Sequence, residues 1–420
     1  MTTPRNLISS CSAGSQAPGL ASSPSDYAWN VNFNNGESNY NNQNNTAFVR
    51  LVRRARASEY QGAGARISFH ELHDAWQNAR RHKVPSDNQM AFEASWIDGL
   101  LSLQDRINRC AWAPGPTTCF IAKRPKAREI HAPDFADRVV HHWLVPKLDA
   151  LFEPRFIFDS YANRPGKGTH AAVARLRNYS RQVFSGQGGG WYLQLDVRNF
   201  FNTIHRPTLY RILKRRMIEA GSPLIVQHAT HALLRESVER QGVIQRSTLR
   251  ERALVPAHKR LENAPAGCGL PIGNLSSQFF ANVYLDRLDQ FVKHELRAMR
   301  YLRYVDDFML VHRDRAQLEA WQDRITDFLR KELRIELKAD IRLRPLSAGI
   351  DFLGYIVYPT HMRVRRRVVR HAFSMVAAVA RPCTREQREL RRSVLASYVG
   401  HFAHANSHRL TTALRAVAAG

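Results

Sequence analysis

The chain is short of acid. Asp and Glu number 36 against 62 Lys and Arg, a net charge of +26 over 420 residues. The excess is spread along the whole length rather than confined to a tail. A field of that sign draws polyanions, and nucleic acid is the default partner; the alternative is a basic surface that is merely solvated. Cysteine is also scarce. The five, Cys11, Cys110, Cys119, Cys268 and Cys383, are scattered, odd in number and without a C-x-x-C pair. That argues against a disulfide framework and against a structural zinc site. No apolar run approaches the roughly 18 residues needed to span a bilayer. The start, "MTTPRNLISSCSAG", lacks a signal-peptide core. A reducing, cytoplasmic compartment and no membrane are therefore expected. The apolar fraction, 44%, is ordinary for a globular protein, and the length allows two or three packed subdomains.

Residues 1–60 are rich in Ser, Gly, Pro and Asn with little periodicity, which predicts a disordered N-terminal segment. Within it, "NVNFNNGESNYNNQNN" (Asn30 to Asn45) has nine asparagines in sixteen residues. Order is expected from "ISFHELHDAWQNARRHK". There Ser68 and Glu71 make a capping-box pattern, and Phe69, Leu72, Trp76 and Ala79 share a helical face. "NQMAFEASWIDGLLSLQDRI" predicts a second helix, and "TTCFIAKRPKAREIHAP" a hairpin around a basic turn. "DFADRVVHHWLVPKLDALF", "THAAVARLRNYSRQVF", "LSSQFFANVYLDRLDQFVKHELRAM" and "AQLEAWQDRITDFLRKEL" predict helices. "WYLQLDV" predicts a buried strand. Residues 207 to about 262 are expected to be helical. "GIDFLGYIVY…MRVRRR" predicts a further hairpin, followed by a basic helical remainder.

The carboxylates point to chemistry. "YVDDF" puts Asp306 and Asp307 between two apolar strands, where hairpins ordinarily carry Asn-Gly or Asp-Gly. Alone this also suits a structural turn. Asp196, ending the strand in "LQLDVRNFF", also suits a helix cap. Together, three carboxylates at strand ends of so basic a chain suggest a magnesium site, since hard oxygen ligands suit Mg²⁺. Two such ions about 4 Å apart would clamp an in-line phosphoryl transfer. The reaction class would be nucleotidyl transfer. His131, His141 and His142 do not suggest a second metal site, because adjacent histidines on a helix point apart. "RPGKG" lacks the spacing of a phosphate loop.

"LDVRNFF" and "YVDD" resemble the catalytic motifs of reverse transcriptases. "REIHAPDFADRVVHHWL" with "FIFDSYANRPGKGTHAA" resembles the family's finger region, and "IDFLGY" its primer grip, Phe352, Leu353 and Gly354. The resemblance covers about residues 66 to 410. It implies an α+β right-hand polymerase: fingers and palm over residues 61–362, with an antiparallel palm sheet packed on helices, and a helical basic thumb over 363–420. Asp196 and Asp306 would bind two Mg²⁺ with the Val197 carbonyl, and Asp307 would lie close by. Tyr304 and Val305 complete that motif. Arg128 would meet the incoming triphosphate with Lys123 near it, or else belong to a solvated basic turn. Asn199, Phe200 and Phe201 would line the nucleotide pocket. Phe201 would exclude a ribose 2′-hydroxyl, or else be a core ring. Lys338 would be the proton donor to pyrophosphate.

"GLPIGNLSSQ" departs from the usual pattern. Reverse transcriptases commonly read Pro-Gln-Gly, three residues, then Ser-Pro. Here Ile272 precedes Gly273, and Gln278 follows Ser277. The form I-G-x-x-x-S-Q resembles the reverse transcriptases of diversity-generating retroelements, which copy a template RNA with errors at adenines. Losing one side-chain hydrogen bond of roughly 0.5–1.5 kcal/mol relaxes selection about tenfold at most. The remaining pocket, the RNA or a partner must then contribute.

That resemblance also bears on the asparagines. Retroelement templates are dense in AAY codons, which read as asparagine. Residues Tyr27 to Ala55 resemble the translated variable end of a target protein, although an ordinary Asn-rich tail has the same composition. The expected partners are template RNA, a DNA or RNA primer, deoxynucleoside triphosphates and a small basic helical accessory oligomer, in a prokaryotic or phage setting. No RNase H, maturase or endonuclease region is expected after the thumb. The rival readings are an intron-type or retron-type reverse transcriptase of ordinary fidelity, and an inactive RNA-binding scaffold.

Overall fold

Ser68 Oγ accepts from the Glu71 N–H at 3.2 Å, and Glu71 Oε2 accepts from the Ser68 N–H at 2.9 Å. This reciprocal cap satisfies two donors at the start of α1 (Phe69–Arg80). The structure, a computed structural model, describes residues 65–81, 84–124, 126–184, 189–378 and 384–419. The expectations for residues 1–60, the asparagine run included, lie outside the described residues.

The second predicted helix is two helices, α2 (Asp87–Glu93) and α3 (Trp96–Asn108), because Ser95 leaves helical geometry between them at φ −137° and ψ 45°. Strands β1 (Thr117–Ala122) and β2 (Arg128–Ala132) form the predicted hairpin, with Cys119 opposite His131. Helix α4 (Phe135–Phe152) starts at Asp134, whose side chain accepts from the Ala136 N–H at 3.0 Å. Helices α1, α2 and α3 pack on α4.

Beyond α4 come α5 (Thr169–Phe184), β3 (Trp191–Asp196), α6 (Arg206–Glu219) and α7 (Leu224–Arg235). A short strand, β4 (Val243–Gln245), pairs in parallel with β1. It falls where only helix was expected. Its side chains are half-buried or exposed, so no alternation marks it, and its pairing comes from a distant partner. Then follow α8 (Leu275–Gln290), β5 (Tyr301–Tyr304), β6 (Asp307–His312), α9 (Arg315–Phe328) and β7 (Arg342–Pro345).

The central sheet has the order β5-β6-β3-β7, antiparallel throughout. Period-two alternation divides its residues between two cores. Leu193, Leu195, Phe308 and Leu310 join the core shared with α1, α3, α4 and α8. Tyr192, Leu302, Met309 and Val311 join a second core under α5. The predicted last hairpin is a three-stranded meander, β8 (Ile350–Phe352), β9 (Tyr355–Val357) and β10 (Met362–Val364). Helices α10 (Arg366–Ala378), α11 (Arg385–Ala403) and α12 (His408–Ala419) pack on one another after it. The fold is α+β, as expected.

Candidate active site

Asp196 and Asp307 are register partners across β3 and β6, at the end of the sheet where β5 turns into β6. Asp306 lies in that turn, and the Val197 N–H donates to its carbonyl at 3.4 Å. The preceding residue, Val305, has φ +56°. A β-branched side chain rarely tolerates that conformation. Arg303 helps to hold it, because its Nη1 donates to the Val305 carbonyl at 2.9 Å. Arg303 is fully buried. It also donates to Asp289 Oδ1 at 2.8 Å and Oδ2 at 2.6 Å, to Asn282 Oδ1 at 3.2 Å and to Ser160 Oγ at 3.1 Å. The turn that presents Asp306 is thus anchored from beneath by an ion pair.

The three carboxylates crowd one another. Asp306 is pushed up to about 7, first by burial and next by the Asp196 charge, with Lys338 opposing. Asp307 is pushed up to about 8, again mainly by burial, although both residues keep part of their surface toward solvent. The Gln194 amide opposes that rise, donating to the two Asp307 oxygens at 3.2 and 3.3 Å. On the other side, the Lys338 ammonium donates to Asp196 Oδ2, and the Lys338 N–H donates to the Asp196 carbonyl at 2.8 Å. Asp196 Oδ1 is buried with no hydrogen-bond partner. An orphaned carboxylate oxygen beside two further carboxylates, all hard oxygen donors, fits a divalent cation such as Mg²⁺.

Among the other predicted residues, Arg128 acts on this cluster through its charge. Arg128 follows the hairpin turn; burial lowers its pKa and the facing Asp306 pulls it back up. Asn199 takes φ +46° and opens a short helix, Phe200–Thr203. Phe200 is buried and Phe201 half-buried, their rings 5.5 Å apart. The Leu270 N–H donates to the Phe201 carbonyl at 2.8 Å, and the His131 N–H donates to the Ile272 carbonyl at 2.8 Å. The loop bearing Ile272 therefore bridges the helix after β3 and strand β2. Gly273, at φ +126°, passes so close that a Cβ would lie 2.9 Å from the His131 carbonyl oxygen, so only glycine fits. Ser277 is buried and Gln278 half-buried in the first turn of α8. The Tyr304 hydroxyl pairs with Thr169 Oγ1 at 3.2 Å. Phe352 ends β8, and Leu353 and Gly354 form the turn into β9. Gln194 Nε2 links it to the carboxylates by also donating to the Asp351 carbonyl at 3.3 Å.

Lys123 is held elsewhere, its ammonium 2.8 Å from Glu251. Of the three histidines considered, His131 clusters with Cys119 and Glu129, while His141 is buried against Ser276. Reasoning from sequence missed Gln194 and Arg303. Both had a signal, being polar residues inside the apolar strands "YLQLD" and "YLRY".

The family profile described as Reverse transcriptase (RNA-dependent DNA polymerase) matches residues 121–357, more than half of the chain and all three aspartates. The chain belongs to the reverse transcriptase family. Its chemistry is RNA-directed DNA polymerisation. Among curated relatives, Protein YkfC of Escherichia coli (strain K12) is 22% identical over 76% of this chain and 84% of its own length. The group II intron-encoded protein LtrA of Lactococcus lactis is 22% identical over 59% of this chain and 46% of its own length. The chain thus spans less than half of that second relative. Among solved structures, telomerase from Candida albicans, in complex with a fragment of telomeric RNA, aligns with a TM-score of 0.42 at 11% identity, covering 88% of this chain and 73% of that one. Among the described residues no helix is long and apolar enough to cross a membrane.

Proposed function

We propose that this reverse transcriptase copies a template-repeat RNA into cDNA with errors concentrated at adenines, for mutagenic replacement of a variable region in a target gene. The observation that supports it is the loop from Gly269 to Gln278. It carries isoleucine where the family commonly has glutamine, and its backbone is hydrogen-bonded to His131 and to Phe201, which follows Asp196 closely in the chain. An aliphatic side chain at that point offers the nucleotide shape but no hydrogen bond, and so relaxes discrimination.

In this reading Asp196, Asp306 and the Val197 carbonyl hold two Mg²⁺, and Asp307 is the neighbouring acid, oriented by Gln194. The metals supply Lewis acidity toward the primer hydroxyl and the departing phosphate. Arg128 orients the triphosphate through charge-assisted hydrogen bonds. Phe201 packs against C2′ of the sugar and leaves no room for a 2′-oxygen. The Lys338 ammonium gives its proton to the leaving pyrophosphate. Phe352, Leu353 and Gly354 seat the primer end. The partners are template RNA, a primer, deoxynucleoside triphosphates and a small basic helical accessory oligomer.

Faithful copying of the intron-encoded type is the second reading, favoured by the likeness to LtrA. Primer extension on an RNA template, followed by cDNA sequencing, separates the two, with Asp306→Ala as the inactive control. Errors clustered at template adenines, with or without the cognate RNA and accessory protein, support the mutagenic role. Faithful cDNA in every condition overturns it.

A further inference from the structure

Cys119 and His131 are register partners across β1 and β2, and Glu129, two residues before His131 on β2, shares their face of the hairpin. All three are buried, Cys119 completely. One ligand atom from each, the Cys119 Sγ, a Glu129 carboxylate oxygen and a ring nitrogen of His131, lies within 4.8 Å of the other two. His131 Nε2 is buried and makes no hydrogen bond, although Glu129 Oε2 is 3.3 Å away. On the other side of the ring, Nδ1 is 3.4 Å from Thr117 Oγ1. An Nδ1–H pointed at that hydroxyl leaves the Nε2 lone pair turned toward the carboxylate. Glu129 is steadied as well, its Oε2 accepting from the Leu261 N–H at 2.6 Å.

Thiolate, imidazole and carboxylate are the ligands that zinc takes. Two atoms each about 2.0–2.1 Å from a tetrahedral ion lie roughly 3.3 Å apart, which is the spacing of His131 Nε2 and Glu129 Oε2. Calcium and magnesium want oxygen ligands instead. One thiolate and one carboxylate cancel the charge of a divalent ion, so the loaded cluster buries no net charge. No C-x-x-C pair announces such a site, because its ligands come from facing strands and meet only through the register of the hairpin. Without an ion, the same atoms amount to a buried imidazolium–carboxylate pair beside a neutral thiol.

We propose that Cys119, Glu129 and His131 bind a structural Zn²⁺ ion inside the β1–β2 hairpin, with water in the fourth position. Coordination releases the Cys119 thiol proton, and any proton on His131 Nε2, to solvent. The site is separate from the three aspartates and does not depend on the polymerase reading. It fixes a junction. The His131 N–H holds the Ile272 carbonyl at 2.8 Å, and Glu129 holds the Leu261 N–H. The hairpin, the loop bearing Ile272 and the chain at Leu261 are then locked from one buried point.

The test uses the full chain, stripped of metal under reducing conditions and titrated with Co²⁺ as the spectroscopic substitute for zinc. A thiolate-to-cobalt charge-transfer band in the near ultraviolet should grow along a single-site isotherm and vanish when Zn²⁺ is added. The band reports a sulfur ligand, so ions at Asp196, Asp306 and Asp307 do not contribute to it. Cys119→Ser abolishes the band, and Cys268→Ser, the control, keeps it. Glu129→Gln still offers the Leu261 N–H an acceptor, and it weakens cobalt affinity about tenfold or more. That variant decides the matter if Cys119→Ser does not fold. Zn²⁺ also raises the urea midpoint of wild type, and raises that of Glu129→Gln less. Absence of the band in wild type overturns the proposal and leaves the imidazolium–carboxylate pair. A band that survives Cys119→Ser, or an affinity unmoved by Glu129→Gln, overturns it too.

Discussion

Lys338 holds Asp196 twice, through its ammonium at Oδ2 and through its backbone N–H at the carbonyl, 2.8 Å away. The side-chain bond spends the lysine's charge on a carboxylate that a divalent cation would share. Removing the ammonium leaves Asp196 beside Asp306 and Asp307 with more uncompensated negative charge, which favours a cation. The same change removes the proposed proton donor. Lys338→Ala should therefore lower the Mg²⁺ concentration for half-maximal extension while cutting kcat about 10²-fold, the scale of general acid catalysis. A magnesium titration of primer extension measures both. An unchanged kcat would remove Lys338 from the chemistry.

The buried pair beneath the turn gives a prediction on stability. Arg303 and Asp289 are both fully buried, 2.6 Å apart. Removing one partner strands the other charge, at a cost of about 3–5 kcal/mol. Asp289→Ala should lose that much in urea denaturation. Its activity, measured where it is still folded, should fall too, because Arg303 also bonds the Val305 carbonyl. Stability within experimental error of wild type would show that the pair does not set the turn.

Sugar selection offers a third check. Phe201 is half-buried next to Asn199 and Phe200, and its carbonyl is fixed by the Leu270 N–H. Phe201→Ala keeps that backbone bond and removes only the ring. Ribonucleotide incorporation relative to deoxyribonucleotide should rise by about tenfold or more, as a steric exclusion is relieved. If the ratio is unmoved while stability drops, Phe201 is a core residue.

What the sequence made legible follows physical range. The Ser68–Glu71 cap is local, and the spacing alone sufficed. The apolar runs around "YVDD" and "LQLD" announced strands, because burial writes hydrophobicity into the chain. The break at Ser95 was hidden, since residues on both sides of it read as one helix. Strand β4 was hidden because its pairing energy comes from β1, more than a hundred residues earlier. The Thr248–Glu251 capping box, with the Glu251 N–H donating to Thr248 Oγ1 at 3.3 Å, was the one local clue within residues 243–263. The course of residues 258–261 left no trace, because it depends on hydrogen bonds to Asn199, Asn202 and Glu129. The pairing of Arg303 with Asp289 was equally invisible, though an arginine within an apolar strand calls for an acid somewhere.

The last prediction concerns pH. Asp149, buried on α4, is pushed up to about 7, first by burial and then by the Glu153 charge, with Arg164 pulling it down. Its ordinary value is near 4. Between these values the folded chain keeps a proton that the unfolded chain has released. The group's contribution is therefore most favourable below pH 4 and is lost as pH rises toward 7. Asparagine in its place carries no charge at any pH. Asp149→Asn should match wild type near pH 4 and gain on it by up to about 1.4 kcal/mol per pH unit across the window. Urea midpoints at pH 5, 6 and 8 measure the gap. A gap that does not widen with pH would mean that Asp149 is ionised in the folded chain, with Arg164 outweighing both burial and Glu153.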